Sequence, residues 1–154
     1  MSNLDFIDRR LLAELQDEGR ITNVELAQRV GLTAPPCLRR VRSLEEDGVI
    51  KGYHAELDAT KLGFAITVFA MVSLKSQAED ALREFEAAMK MLPEVREVHM
   101  LNGEIDFILK IVSRDLQSFQ EFLTSKLTPA PNVASVKTSL TIRTSKHEPG
   151  VPLE

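Results

Sequence analysis

Two amphipathic segments separated by only Gly31-Leu32-Thr33 constrain this chain more than any other feature. Thr22 and Glu25 have the T-x-x-E spacing of a capping box, in which each side chain bonds the other residue's backbone N–H. The helix they open buries Leu26, Ala27 and Val30, and Gly31 stops it by accepting a left-handed backbone. Thr33 stands as N-cap of the next helix, and Pro35 and Pro36 occupy its first turn, where missing N–H groups cost no intrahelical bond. Cys37, Val41 and Leu44 form its apolar stripe, and Gly48 ends it. An earlier segment, Asp5–Gly19, repeats Phe6, Ile7, Leu11, Leu12 and Leu15 at helical spacing, with Asp5 as N-cap. Three short helices with a three-residue turn between the last two make a helix-turn-helix, whose second helix enters a major groove about 12 Å wide.

On that second helix, periodicity turns Pro36, Arg39, Arg40 and Ser43 outward, with Arg42 at the flank. Arginine pairs bidentately with guanine or clamps a phosphate. The alternative is a solvated face whose arginines pair with Glu45 and Glu46. N–H groups near Thr33 are placed to meet a phosphate, and within the β-rich stretch Val49–Leu57 the segment Val49–Tyr53 is expected to form a wing, with Lys51 near the DNA backbone. The net charge of −4 does not oppose this reading. Leu26–Leu44 holds Arg29, Arg39, Arg40 and Arg42 with no acidic residue, and fields decay over about 8 Å at physiological salt. The lone cysteine, Cys37, sits on an apolar stripe and reads as a small core residue.

Beyond Gly63 the period changes. Phe64–Leu74 alternates as a strand, Ala78–Met91 is helical, and Val95–Leu101 and Ile105–Val112 are strands joined at Asn102-Gly103, a hairpin signal. Leu116–Leu127 is helical and Val133–Thr144 is a final strand. The fold class is therefore α+β: a winged helix-turn-helix over residues 1–60, a βαββαβ ferredoxin-like sandwich over 63–146, and a loose tail at 147–154.

The stretch from Leu4 to Tyr53, above all ITNVELAQRVGL followed by PPCLRRVRSLE, resembles the N-terminal domain of the Lrp/AsnC family, and the resemblance continues through the second half. It implies a homodimer built through the C-terminal sheets, often assembling to octamers that wrap or bend double-stranded DNA. It also implies a helix-turn-helix motif over about Asn23 to Arg42, with Thr33, Pro35, Pro36, Arg39, Arg40, Arg42, Ser43 and Lys51 facing DNA. The implied effector is an amino acid, leucine for instance, bound between dimers at a G-x-x-D turn, here Gly103-Glu104-Ile105-Asp106. Met100, Asn102, Ser139, Leu140 and Thr141 match positions lining that site. A turn suits the ligand: backbone N–H groups receive its carboxylate, and Asp106 pairs its ammonium. From local sequence alone, Gly103 reads first as a hairpin glycine, and Asp106 has an alternative role hydrogen-bonding that turn.

No apolar run approaches the ~20 residues needed to cross a bilayer, and the N-terminus lacks a signal-peptide pattern, so a cytoplasmic, nucleoid-associated protein is expected. No cofactor is implied beyond the effector. An enzyme would need a nucleophile–base pair, metal cluster or phosphate loop, none of which the sequence displays. A metal- or redox-sensing repressor would need a Cys/His cluster. The remaining alternative is an amino-acid-binding module whose N-terminal half contacts a protein instead of DNA.

Overall fold

The computed structural model describes residues 4–153. The chain divides into two compact units, Met1–Glu56 with Lys146–Glu154, and Leu57–Ser145. Among the described residues, no helix is long and apolar enough to cross a membrane.

The first unit is a three-helix cluster of α1 (Phe6–Asp17), α2 (Asn23–Val30) and α3 (Ala34–Glu46). Leu11, Leu26, Ala27, Val30, Cys37, Val41 and Leu44 form its core, so both predicted apolar stripes face inward. The helix ends follow local chemistry. Asp5 and Asp8 make a reciprocal capping box at α1, and Thr22 and Glu25 make one at α2. Gly31 (φ 77°) and Gly48 (φ 69°) adopt the left-handed conformation that ends α2 and α3. After each, the following N–H reaches back to close the final turn, Leu32 to Ala27 O and Val49 to Leu44 O.

The expected wing is not a strand. Residues 49–57 hold no β-structure. The N–H groups of Val49 and Ile50 are both spent on Leu44 O at 3.0 Å, closing α3, and nothing in the segment supplies a second strand to ladder with. Residues 51–58 run exposed over the surface. The tail is less loose than expected. The Gln16 side chain donates to Val151 O at 2.9 Å and accepts from Val151 N at 3.0 Å, tying the tail to α1.

In the second unit, β1 (Ile66–Leu74), α4 (Glu79–Lys90), β2 (Val95–Met100), β3 (Phe107–Ser113), α5 (Leu116–Phe122, continued by a π-helical turn at Leu123–Leu127) and β4 (Val133–Leu140) form the βαββαβ unit. The antiparallel sheet has the order β2-β3-β1-β4. Period two decides its faces. Val68, Ala70, Val72 and Leu74 of β1 and Phe107, Leu109 and Ile111 of β3 are buried, packed against Leu82, Phe85 and Met89 of α4 and Phe119 and Phe122 of α5. Phe85 and Phe107 meet with ring centroids 4.9 Å apart.

Four strand ends fall short of expectation: β1 begins at Ile66, not Phe64, and β2 ends at Met100, not Leu101. β3 begins at Phe107, not Ile105, and β4 ends at Leu140, not Thr144, although Thr141 N still donates to Thr67 O at 2.9 Å. The Asn102-Gly103 hairpin turn is also absent. Neither residue has positive φ, and the link between β2 and β3 is a wider loop closed by Leu101 N donating to Asp106 O at 2.8 Å. Asp106 explains this loop. Its N–H donates to Val72 O, Oδ2 accepts from Leu74 N at 2.7 Å, and Oδ1 accepts from Gln77 Nε2 at 2.9 Å. These bonds bind the loop's last residue to the end of β1, and the chain turns where that anchor allows.

Candidate nucleic-acid interface and effector loop

The pose of α3 is fixed from three directions. Its core stripe packs on α1 and α2. Asn23, the first residue of α2, donates through Nδ2 to Ala34 O at 2.8 Å, locking the two helices across their turn. Arg40 Nη1 bonds Asp5 Oδ2 and Asp8 Oδ1, each at 2.7 Å. Donation from Asp8 N and then from Arg40 holds the Asp5 carboxyl below the usual carboxylate range, and the two aspartates raise the Arg40 guanidinium. A depressed carboxyl adds stability at neutral pH and loses it only as pH falls through its lowered value, so this link survives mild acid.

Arg40 therefore corrects the sequence reading: it turns toward α1, not outward. Arg29 is likewise engaged, with Glu14 at 3.0 Å and Glu18 at 2.8 Å. Of the four arginines in the basic stretch, Arg39 and Arg42 are the two with no ion pair among the described residues. Neither pairs with Glu45 or Glu46, and Glu45 accepts a bond from Tyr53 Oη instead. The outward face is Pro35, Leu38, Arg39, Arg42, Ser43 and Glu46, lining an open concavity of about 460 Å³. This i, i+3, i+4, i+7 set includes Leu38, which the sequence reading missed, and Pro35, while Pro36 is half-buried. Lys51 is exposed in the segment after α3.

The start of α3 offers less to a phosphate than expected. Thr33 has the extended N-cap backbone (φ −87°, ψ 159°) but its side chain makes no cap bond. Pro35 and Pro36 remove two of the free first-turn donors, and Cys37 N already bonds Thr33 O. That leaves the Thr33 hydroxyl and the N–H groups of Thr33 and Ala34. Cys37 is fully buried and burial pushes its thiol up, in keeping with a core role.

Tyr53 is the chain's single tyrosine, in a sequence without tryptophan. Although the residue as a whole is 46% exposed, partial desolvation of the hydroxyl, and then its bond to Glu45, push it up to about 12. Ultraviolet titration is expected to show phenolate appearing near that value in place of about 10, and Glu45→Gln is expected to bring the midpoint down. A midpoint unchanged in Glu45→Gln would mean the bond contributes nothing.

In the second unit, Met100, Asn102, Gly103 and Glu104 are exposed on and after β2, and Asp106 is half-buried in its three bonds. Ser139 and Leu140 are exposed on β4, with Thr141 half-buried just beyond. The structure does not bring these groups together within one protomer. The register runs Met100↔Phe107↔Val72↔Val136, so Ser139–Thr141 lies at the opposite edge of the sheet and three to five residues toward its other end. Three strand spacings and that offset put the two clusters roughly 17–21 Å apart. A single amino acid cannot span them.

The sequence of the Lrp/AsnC ligand binding domain family matches residues 67–151, and that of the winged helix-turn-helix DNA-binding family matches residues 4–51. The chain is 55% identical over 143 residues to the leucine-responsive regulatory protein of Rhizobium meliloti, covering 93% of this chain and 92% of that one. It is 41% identical to the Bkd operon transcriptional regulator of Pseudomonas aeruginosa, covering 99% of this chain and 100% of that one. Among solved structures, a transcriptional regulator of Neisseria meningitidis crystallised as its L-Met complex aligns with TM-score 0.93 and 35% identity, over 98% of this chain and 97% of that one. An AsnC family transcriptional regulator from Agrobacterium tumefaciens aligns with TM-score 0.91 and 30% identity, over 97% of each chain. Both halves, their order and their folds agree with these relatives, and the chain belongs to the Lrp/AsnC family of transcriptional regulators.

Proposed function

We propose that this regulator reads duplex DNA with the outward face of α3 and that a free amino acid, held between copies of the chain, controls its DNA binding or assembly. The observation carrying the first half is the division of labour among the arginines. Arg29 and Arg40 are neutralised by carboxylates, whereas Arg39 and Arg42 stand exposed beside Ser43 and Pro35 with no ion pair among the described residues. Thr33 and Lys51 flank that face as backbone contacts.

The second half rests on the separation of the two effector clusters. The loop Asn102–Asp106 with Met100 at one corner and Ser139–Thr141 at the other enclose one ligand only when two protomers supply one cluster each. Exposed Glu104, together with the spare lone pairs of Asp106, suits the ligand's ammonium, and the loop's N–H groups suit its carboxylate. Leucine leads the candidates because a close relative is named for its response to it, and methionine follows because a structural neighbour was solved with it. Dimerisation uses the sheet face away from the helices, where Phe69 is 37% exposed beside Ile108 and Met71, and octamers follow if the effector contacts join dimers. Such an assembly works on the nucleoid, in the cytoplasm.

Fluorescence anisotropy on the duplex upstream of the protein's own gene, run across salt with and without leucine and methionine, tests both halves. DNA binding is expected to fall with salt at a log–log slope of about 0.9 per phosphate contacted. A shallow slope would favour a protein partner. Asp106→Ala leaves the part-buried Leu74 N–H without its acceptor and frees the loop, so it is expected to abolish the amino-acid response while DNA binding persists. Equal ligand uptake by variant and parent in calorimetry would overturn the effector assignment.

A further inference from the structure

The outward face of α3 is chemically divided. Its N-terminal half shows Pro35 and Leu38, two apolar side chains, next to Arg39, and its later half shows Arg42, Ser43 and Glu46. Leu38 is 38% exposed in the middle of an otherwise orderly amphipathic helix. Its other side borders a small cleft of about 180 Å³ that Leu15, Leu26, Val41 and Tyr53 also line. Leu38 thus presents an apolar surface beside the Arg39 guanidinium, which has no ion pair among the described residues. Pro35 lies one turn earlier on the same face, its ring without rotamer freedom.

The N-terminal part of a recognition helix is the part that meets base edges. In the major groove, every base pair displays polar groups, and the single apolar group on offer is the C5 methyl of thymine. We infer that Leu38, supported by Pro35, reads a thymine methyl within one or two base pairs of the base contacted by Arg39. The inference rests on α3 being the DNA-reading helix and adds the base class it selects. Arg39 requires a polar edge such as guanine O6/N7 next to that methyl, so the preferred half-site pairs a thymine with a neighbouring guanine. Truncating Leu38 removes apolar surface without touching any hydrogen bond or charge.

The test uses the full-length protein and a duplex selected from a randomised library, resynthesised with each thymine replaced in turn by uracil. Uracil keeps every hydrogen-bonding group and lacks only the methyl. Replacement at one position in each half-site is expected to weaken binding about fourfold, the weight of one methyl group removed from water. In Leu38→Ala that thymine-over-uracil preference is expected to collapse to unity, while the salt slope on mixed-sequence duplex stays that of the parent. Leu38→Met, which retains an apolar side chain of similar volume, is expected to keep part of the preference. This guards against a folding defect in the alanine variant. Uracil tolerated at every position by the parent would overturn the inference while leaving α3 as the reading helix. So would a preference that Leu38→Ala retains in full, because DNA shape would then be its source. If the parent selects no duplex at all, the DNA-reading assignment of α3 itself fails.

Discussion

Replacing Arg39 and Arg42 together by alanine is expected to lower affinity for the selected duplex by about a hundredfold or more, with the folded N-terminal unit intact. Each guanidinium is exposed, and neither has an ion pair among the described residues. Their removal therefore leaves no carboxylate of the protein uncompensated. A well-made arginine–base pair is worth about 1–3 kcal/mol, and two of them lost together reach that range of affinity. If either arginine holds a phosphate, the salt slope falls by about 0.9 for that contact. Arg40 supplies the contrast. Its alanine variant strands Asp5 and Asp8 at the start of α1 and loosens α3, so thermal stability is expected to fall by several degrees and DNA affinity to drop as a consequence. Affinity measured beside melting temperature separates the two cases: a loss without a melting change belongs to Arg39 and Arg42, and a loss accompanied by one belongs to Arg40. An Arg39/Arg42 double variant that binds as the parent does would remove the outward face of α3 from the interface.

What could be read in advance divides along the reach of the interactions. Helix ends depend on residues within four positions of each other, so the Thr22–Glu25 box and the turns at Gly31 and Gly48 followed directly from spacing. The buried face of β1 came from strict alternation, because a period of two leaves each side chain one face only. Arg40 was misplaced because helical periodicity gives the direction in which a side chain leaves the helix, not what reaches it from elsewhere. Asp5 and Asp8 lie 35 and 32 residues away in sequence. The error at Asn102-Gly103 has the same origin. The dipeptide prefers a tight turn, but the two bonds of Asp106 to β1 and its third to Gln77 just beyond it set where the chain must arrive. The strand reading of the segment after α3 failed for a topological reason, since one segment cannot make a ladder alone. The candidate effector residues were chosen by their positions along the chain, which do not show that strand order puts them at opposite corners of the sheet.

Phe107→Ala is expected to have the largest effect in the C-terminal unit. Phe107 is fully buried at the start of β3, an inner strand paired on both sides, and its ring packs on Phe85 of α4. Truncating a buried phenylalanine costs about 3–5 kcal/mol, a large part of the 5–15 kcal/mol that holds a typical domain folded. The damage is also expected to reach function, because Phe107 directly follows Asp106 and anchors the strand into which the proposed effector loop runs. Melting of the sheet unit is expected at markedly lower temperature, together with loss of assembly in sedimentation and of any amino-acid response. Tyr53, the only tyrosine, lies in the other unit and is expected to keep its raised titration midpoint near 12, showing that the helix-turn-helix remains folded. Phe107→Leu keeps most of the buried volume and is expected to restore assembly. Should the alanine variant assemble and melt as the parent does, the Phe85–Phe107 contact does not hold α4 to the sheet. Should Tyr53 shift back toward 10 in the same variant, the two units do not fold separately, and the reading helix depends on the effector unit for its own structure.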